Sequence, residues 1–387
     1  MKIDLPFLPP KTLGPKSVYD GAAGVLKAWL DQDILHQDLR QSFYPYEQTY
    51  THGGHDHKRR GFFALVKLTP FGQDVIPHEK TYAGAIEDRL QLMHSTGVQL
   101  SPVFGLYYDE GDGIAKELFS RIARPTVEAT LDGVKNRLWT EFDANIEMHV
   151  IDGFKDKKIY IADGHHRYTT ALHYQQQMIE KNGGQPLPAD HPANYCLMVL
   201  VNAADPSLLI LPTHRLVKGL QNWNLDAFLK RIEPHFEITR TPLKSAQCAD
   251  FAKTLSGYGK NAIGVYDGAT KSCTVIRLTD ASVMKTLEPD KSEPWRALDV
   301  AILQRAIFDN VVSKAFAGGA ELTRGYTAYE NEVAPKVDSG EYQVAFILQP
   351  TPIRALQQLG EHGEVMPQKS TYFYPKLATG LTIAPLV

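Results

Sequence analysis

Apolar positions along the chain recur at two spacings, which predict a mixed α/β protein. An apolar residue every three or four positions indicates a helix, whereas short apolar or alternating stretches bounded by turn residues indicate strands. The predicted helices are 18–30, 83–95, 165–181, 225–232, 245–255, 297–308 and 352–359. The predicted strands are 42–50, 61–68, 103–108, 126–131, 136–141, 159–162, 195–202, 208–211, 262–266, 273–278 and 344–348. Turn residues at 51–57 join the first two strands into a hairpin.

The length of the chain predicts two domains. A chain of 387 residues exceeds the usual size of a single domain. We place the first domain at 1–205 and treat 111–150 within it as an insertion. The second, also α/β in its pattern, is placed at 206–387.

Composition and charge exclude several classes of protein. The chain has 41 basic and 44 acidic residues and a formal net charge of −3, so it has no bulk field to attract nucleic acid or an anionic membrane. No apolar run approaches the roughly 20 residues that a membrane helix needs. Cys196, Cys248 and Cys273 are widely spaced and indicate neither a disulfide framework nor a thiolate zinc site. We therefore expect a cytoplasmic protein with no membrane or nucleic-acid partner, whose cysteines are reduced and packed.

The segment 161–167 predicts a phosphate-binding turn between a buried strand and a helix. The first backbone N–H groups of such a helix lack intrahelical partners, and with the helix dipole they favour an anion. Gly164 permits close approach of the backbone to a ligand. His165, His166 and Arg167 offer donors that suit phosphate oxygens. We expect a nucleotide as the source of the phosphate.

Spacing alone leaves two roles open for Asp163, at the end of this strand. Its carboxylate could coordinate a magnesium ion carried on the phosphates, or it could cap the helix. An ordinary capped helix with surface histidines also remains open for the whole segment.

Three blocks of the sequence resemble a known family. Segment 160–168, Tyr-Ile-Ala-Asp-Gly-His-His-Arg-Tyr, resembles the signature of the ParB/sulfiredoxin superfamily, and in particular of the free serine kinases and a serine-kinase-like bacterial family. Segment 76–81, Ile-Pro-His-Glu-Lys-Thr, with 87–90 and 101–103 after it, is similar to the part of those kinases that carries the catalytic glutamate. Segment 363–371, Gly-Glu-Val-Met-Pro-Gln-Lys-Ser-Thr, is similar to their C-terminal active-site segment.

This resemblance implies a fold and a reaction. It implies a ParB/sulfiredoxin-like mixed-sheet domain, with the second α/β domain completing the cleft and segment 363–376 returning to the active site. It implies transfer of a phosphoryl group from ADP or ATP, with Mg²⁺, to a small hydroxyl acceptor, with free L-serine as the leading candidate. Glu79 would be the base, with Asp163 assisting as catalytic residue and metal ligand. Lys369, Ser370 and Thr371 would bind phosphate or the substrate's carboxylate.

The chain departs from this pattern at three points. Tyr372-Phe373 stands where the serine kinases carry an Arg-His pair, the upstream Pro-Tyr-Asp motif has no counterpart, and His165 replaces the cysteine that sulfiredoxins need. An alternative function is a non-catalytic nucleotide-binding switch or a ParB-like NTPase. DNA binding is disfavoured because there is neither a helix-turn-helix signature nor a basic face. The oligomeric state, a homodimer included, stays open.

Two further groups of polar residues have both a functional and a structural interpretation. His52, His55, Asp56 and His57 resemble metal ligands, but the flanking glycines and basic residues favour an exposed hairpin tip. Segment 213–215, Thr-His-Arg, leaves a functional and a structural role open.

Overall fold

The computed structural model describes residues 15–81, 83–244, 251–318 and 322–386. It divides into two compact units. The first unit comprises the described parts of Met1–Leu209 and Pro375–Val387, and the second those of Ile210–Tyr374. Among the described helices, none has both the length and the apolar character needed to span a bilayer.

The described elements confirm a mixed α/β architecture. The α-helices are α1 (Pro15–Asp31), α2 (Ala83–Thr96), α3 (Gly113–Leu118), α4 (Ala144–Phe154), α5 (His165–Lys181), α6 (Leu225–Ile232), α7 (Phe251–Ser256), α8 (Ser282–Leu287), α9 (Glu293–Arg296), α10 (Asp299–Ile302), α11 (Ser313–Phe316), α12 (Val333–Asp338) and α13 (Arg354–Glu361). The strands are β1 (Tyr44–His52), β2 (His55–Lys67), β3 (Val75–Ile76), β4 (Val98–Gln99), β5 (Val103–Tyr107), β6 (Val127–Leu131), β7 (Val134–Leu138), β8 (Ile159–Asp163), β9 (Tyr195–Asn202), β10 (Leu209–Leu211), β11 (His214–Lys218), β12 (Phe236–Lys244), β13 (Ala262–Asp267), β14 (Ser272–Leu278), β15 (Thr323–Thr327), β16 (Val344–Ile347), β17 (Tyr372–Tyr374) and β18 (Ala384–Pro385).

A mixed eight-stranded sheet forms the first unit, in the order β3-β8-β5-β9-β2-β1-β7-β6. β8 is parallel to β3 and antiparallel to β5, while β5 is parallel to β9. Gly105 in β5 lies between two neighbours so close that a Cβ atom would come within 2.7 Å of Ile159 and 2.8 Å of Leu200. Strand β8, which leads into the predicted phosphate turn, therefore lies inside the sheet and is packed tightly.

The predicted hairpin is confirmed, and its tip is exposed. β1 and β2 pair antiparallel in a register that places His52 opposite His55 across Gly53 and Gly54. Within the described residues, no cluster of three or more His, Cys, Asp or Glu side chains is arranged to hold a metal ion.

The region treated as an insertion contributes to the main sheet. Strands β6 and β7 extend the sheet beyond β1, with Gln48 opposite Asn136. Helices α3 and α4 bury Ile114, Leu118, Ile146 and Val150 in the same core as Tyr168 of α5. Residues 127–154 thus complete the first unit and supply part of its core.

A six-stranded sheet in the order β12-β14-β13-β16-β11-β15 forms the second unit, and each neighbouring pair of strands in it is antiparallel. α7 and α12 pack on it through Phe251, Leu255, Val333 and Val337. The helix predicted at 245–255 is described from Phe251 onward, and 245–250 lie outside the described residues.

The helix predicted at 297–308 is present, but most of it is not a regular α-helix. The chain is helical from Asp299 as α10 and continues directly as a π-helical stretch, Leu303–Val312. Leu303, Ile307, Phe308 and Val312 are buried there. Their spacing of four or five residues suits the wider π turn, which an apolar pattern does not distinguish from an α-helix.

Of the three cysteines, Cys196 and Cys273 are buried thiols, as expected. Cys248 lies outside the described residues.

Candidate functional site

The predicted turn joins β8 to α5 at Gly164. This residue is the N-cap of α5, with φ of 98° and no side-chain cap hydrogen bond. Asp163 directly precedes this N-cap position, and the described contacts of its carboxylate are with Arg167 and Lys376. The first turn of α5 presents backbone N–H groups of the kind that favour anions.

Arg167 turns back over Gly164. Its Nη2 atom lies 2.7 Å from Asp163 Oδ2, and its Nη1 atom donates to the carbonyl oxygen of Pro102. A Cβ atom on residue 164 would lie 2.8 Å from Arg167 Nε, inside the closest normal contact. Glycine is thus required both by the backbone angle and by the guanidinium. Burial lowers the pKa of Arg167, and the neighbouring Asp163 opposes that shift.

Asp163 holds two cations. Besides Arg167 on Oδ2, its Oδ1 atom lies 3.3 Å from Lys376 Nζ. The Asp163 and Lys376 side chains are 42% and 44% exposed, whereas Arg167 is 19% exposed. The ion pair with Arg167 is therefore the shorter and better shielded one. The role of Asp163 as a magnesium ligand stays a prediction.

A cavity of about 240 Å³ opens beside the turn. It is lined by Arg89, Ser101, Asp163, Arg167, Lys376, Leu377 and Thr379. Three cations and one carboxylate give the wall an excess of positive charge. Ser101 Oγ donates to Thr379 Oγ1 over 3.4 Å, so two hydroxyl groups lie side by side in the same wall. The composition suits a multiply charged anion with several oxygens.

Two buried histidines join the Glu79 loop to the turn. The backbone N–H of His78 donates to His165 Nε2 over 3.1 Å, and His78 Nδ1 donates to the carbonyl oxygen of Ile161 over 2.6 Å. The two rings meet edge to face with centroids 4.6 Å apart. Burial lowers the pKa of both rings, so both are neutral at pH 7. His165 therefore uses Nε2 to position a loop, and only Nδ1 remains for a ligand.

Glu79 lies near the turn. It directly follows His78, and its charge, like that of Asp163, acts on the His78 ring to raise the pKa against the effect of burial. Glu79 is partly exposed, as is His166. The structure thus places the loop that carries Glu79 beside the turn through the hydrogen bond of His78, and the role of Glu79 as a base stays a prediction.

A buried polar network fixes the chain around Lys376. Arg59 Nη2 donates to the carbonyl oxygen of Pro375 over 2.7 Å, and Gln48 Nε2 donates to that of Lys376 over 3.0 Å. Arg59 is 2% exposed, and burial lowers its pKa to about 10. Two strands thus hold the backbone on both sides of Lys376.

The proposed substrate residues Lys369, Ser370 and Thr371 belong to the second unit. Lys369 is exposed with φ of 55°, a strained angle for a residue with a side chain. Arg215 Nη2 donates to its carbonyl oxygen over 2.8 Å. Ser370 is buried, and its hydroxyl donates to the carbonyl oxygen of Pro367. Ser370 therefore maintains the loop, and Lys369 presents its side chain to solvent.

Arg215 has structural contacts. It is 5% exposed and donates to the carbonyl oxygens of Gln368 and Lys369, so it supports that loop, and a functional role for segment 213–215 stays open.

The sequence did not assign roles to four polar residues of the cavity wall: Arg89, Ser101, Lys376 and Thr379. Arg89 and Ser101 fall in blocks that carry the resemblance, which was the available signal. Lys376 closes the segment expected to return to the site, while Thr379 has no local signal at all.

Three solved structures are similar to this chain at low identity. A free serine kinase in complex with AMP is 13% identical, with a TM-score of 0.38 over 80% of this chain and 86% of that one. A conserved hypothetical protein from Pyrococcus furiosus is 14% identical, with a TM-score of 0.38 over 84% and 95%. SbnI with a C-terminal truncation, from Staphylococcus aureus, is 12% identical, with a TM-score of 0.36 over 84% and 87%. Among curated proteins, none matches this sequence.

One family matches most of the chain. The family described as "Protein of unknown function (DUF1015)" matches residues 1–301. This chain therefore belongs to the DUF1015 family.

Proposed function

We propose that this chain is a nucleotide-dependent phosphotransferase, which moves the terminal phosphoryl group of ADP or ATP to the hydroxyl group of a small acceptor, with free L-serine the leading candidate. One observation carries the proposal. The cavity at the start of α5 has three cations in its wall, and the loop that carries Glu79 is hydrogen-bonded to the same turn.

The cavity suits the phosphates of a nucleotide. Phosphate oxygens take charge-assisted hydrogen bonds from arginine and lysine, and the helix N-terminus adds partial positive charge. Arg167 is held in place by Asp163 and by the carbonyl oxygen of Pro102. A preorganised cation of this kind stabilises charge without having to reorganise during the reaction.

Glu79 is the proposed base. The acceptor's hydroxyl oxygen attacks the terminal phosphorus, the bond from that phosphorus to the bridging oxygen breaks, and the hydroxyl proton passes to the Glu79 carboxylate. The nucleotide leaves with one phosphate fewer and keeps the electron pair of the broken bond. His78 and His165 place the Glu79 loop at the turn and do not exchange protons at pH 7, because burial lowers the pKa of both.

A magnesium ion fits this site only together with phosphate. Asp163 is the single carboxylate in a wall with three cations, and the described residues include no cluster of three or more ligating side chains. Mg²⁺ is commonly held by one or two carboxylates, water and substrate phosphates, so Asp163 Oδ1 would be its protein ligand. Bound there, the ion would neutralise charge on the phosphate oxygens.

The proposal also gives roles to the two units and to the loop that contains Lys369, Ser370 and Thr371. We assign the first unit as a ParB/sulfiredoxin-like nucleotide-binding domain and the second as the domain that supplies acceptor contacts. Lys369 and Thr371 are proposed to bind substrate or phosphate, and Ser370 to shape their loop. The resemblance of segments 76–81, 160–168 and 363–371 to serine kinases supports these assignments.

The alternative is a nucleotide-binding switch or an NTPase without a small-molecule acceptor. Tyr372 and Phe373 favour it, because they replace the Arg-His pair of the serine kinases. Phe373 is 1% exposed, and the ring of Tyr372 lies 6.3 Å from that of Tyr329. Neither residue offers a cation for the carboxylate of an amino acid.

Glu79→Gln separates the two functions. Incubation with ADP or ATP, Mg²⁺ and a panel of hydroxyl amino acids should give a phosphorylated product with the wild type. The variant should lose transfer by at least about a hundredfold and keep its nucleotide affinity. Glu180→Gln, in the last turn of α5 and far from Gly164, is the matched control. Equal loss of transfer and binding would contradict the role of Glu79, and hydrolysis without any phosphorylated acceptor would favour the NTPase.

A further inference from the structure

Lys376 has an anchored backbone and a partly exposed side chain. Arg59 and Gln48 bind the carbonyl oxygens of Pro375 and Lys376. Two residues later, the N–H of Ala378 donates to the hydroxyl oxygen of Tyr46 over 3.3 Å. All three of these anchoring side chains are buried. The position of the Lys376 Cα atom is therefore set by the core of the first unit.

The ammonium group of Lys376 forms a long and half-exposed ion pair. It lies 3.3 Å from Asp163 Oδ1, and the two side chains are 44% and 42% exposed. Exposed lysine–carboxylate pairs contribute little and exchange readily with water. In contrast, Arg167 approaches the other oxygen to 2.7 Å and also binds Pro102.

We propose that Lys376 is an exchangeable counter-ion, which leaves Asp163 for the phosphate of the ligand when that ligand enters the cavity. Before the ligand enters, the Asp163 carboxylate provides the negative charge that pairs with Lys376. Its Oδ1 atom becomes available for another partner only once Lys376 has moved. This inference deepens the proposed function, since it concerns the cavity in which the nucleotide phosphates are proposed to bind.

An exchangeable Lys376–Asp163 pair affects anion binding in a way that a permanent structural ion pair does not. Without a divalent cation, Asp163 competes with the ligand for Lys376 and repels the incoming anion. Removing that charge should therefore strengthen anion binding, and the gain should depend on Lys376. A carboxylate that merely stabilised the fold would give no such gain.

Isothermal titration with pyrophosphate in EDTA tests this directly. Lys376→Met should weaken binding about tenfold, since a charged hydrogen bond to phosphate is lost. Asp163→Asn should tighten binding about fivefold, and the gain should shrink clearly in the double variant. Both side chains are partly exposed, so both substitutions are compatible with folding.

Lys155→Met is the matched control, because Lys155 forms an exposed ion pair with Asp152 at 2.7 Å. The pyrophosphate affinity of this variant should equal that of the wild type. Unchanged affinity in Lys376→Met, or an equal gain from Asp163→Asn with and without Lys376, would overturn the proposal, as would absence of pyrophosphate binding by the wild type. The titration needs neither nucleotide nor acceptor. Failure of phosphoryl transfer with these results intact would therefore remove only the proposed reaction.

Discussion

Among single residues, Gly164 sets the geometry of the site. Its φ of 98° is unfavourable for any residue with a Cβ atom, and the Arg167 guanidinium occupies the space where that atom would be. The sequence predicted a glycine that admits a ligand. The structure adds a second reason for glycine here, since the Arg167 guanidinium packs against this position, and the approach of a ligand stays a prediction.

Gly164→Ala should therefore have two effects. Backbone strain should lower the free energy of unfolding by about 1–3 kcal/mol, and displacement of Arg167 should weaken binding of ADP. Gly183→Ala is the control, since Gly183 has φ of 68° and nothing within 4 Å of an added Cβ atom. Urea unfolding and ADP titration measure both effects. Equal loss of ADP affinity in the two variants would show that Arg167 placement is not the cause.

His165 illustrates how a sequence motif conceals a structural role. The motif offered its imidazole as a phosphate donor, yet the ring is 6% exposed and its Nε2 atom accepts the His78 N–H. Burial of the ring favours the structural role over the role of phosphate donor. A short sequence motif does not indicate whether a histidine in it is buried. Its role as a phosphate ligand stays a prediction, limited to Nδ1.

His165→Ala should separate the loop from the turn. A buried N–H group of His78 would lose its acceptor, which costs about 1–3 kcal/mol of unfolding free energy. Phosphoryl transfer should fall more than nucleotide affinity, because Glu79 would be misplaced while the cavity cations stay. Steady-state kinetics measure the rate of phosphoryl transfer, and ADP titration measures the nucleotide affinity. A variant that keeps full kcat would show that the Glu79 loop does not depend on His165.

At the level of elements, the sequence predicted local structure best where the apolar pattern is long. α5 and β9 have the predicted bounds, 165–181 and 195–202. Strands β12 and β15 were missed, and both are edge strands of the six-stranded sheet, where polar residues are tolerated on the open side and weaken the alternation. α4 was missed as well, although Asp143 caps it through the N–H groups of Asn145 and Ile146.

The contact that completes the cavity could not be predicted from any local pattern. Lys376 and Asp163 are 213 residues apart, and the network that places Lys376 comes from Gln48 and Arg59 on the hairpin. Buried polar residues on strands have no signature of their own in a single sequence. The candidate turn was therefore predictable from the sequence, but the position of Lys376 in the cavity wall was not.

Arg59→Met should release the C-terminal segment. Gln48 and the Pro375 carbonyl would lose a buried partner, so the amide of Ala378 should exchange its hydrogen at least about tenfold faster. Hydrogen-exchange mass spectrometry over 375–380 measures this. Arg60→Met on the same strand is the control, since the Arg60 side chain is 45% exposed and pairs with Glu47 away from the 375–378 segment. Unchanged protection in Arg59→Met would contradict the anchoring role.

For the whole molecule, buried histidines predict a loss of stability in acid. Burial lowers the pKa of His214 to about 3, while an unfolded histidine has a pKa of about 6.5. Between these values the unfolded chain binds a proton that the folded unit does not. The free energy of unfolding should therefore fall as the pH falls below about 6.5, by about 1.4 kcal/mol per pH unit from this residue.

Denaturant unfolding at pH 7 and pH 5 checks this. His214→Gln should reduce the difference between the two pH values by about 2 kcal/mol, whereas His149→Gln on an exposed helix face should not change it. Identical pH dependence in wild type and His214→Gln would show that His214 is not protonated on unfolding in this range.

The central claim is that the cavity beside Gly164 holds the terminal phosphate of a nucleotide, and a crystal structure of the protein with ADP tests it most directly. The account predicts the terminal phosphate within hydrogen-bonding distance of Arg167 and Lys376, with Lys376 Nζ moved away from Asp163. Density for the phosphates elsewhere on the chain, with the Lys376–Asp163 pair still closed, would contradict it.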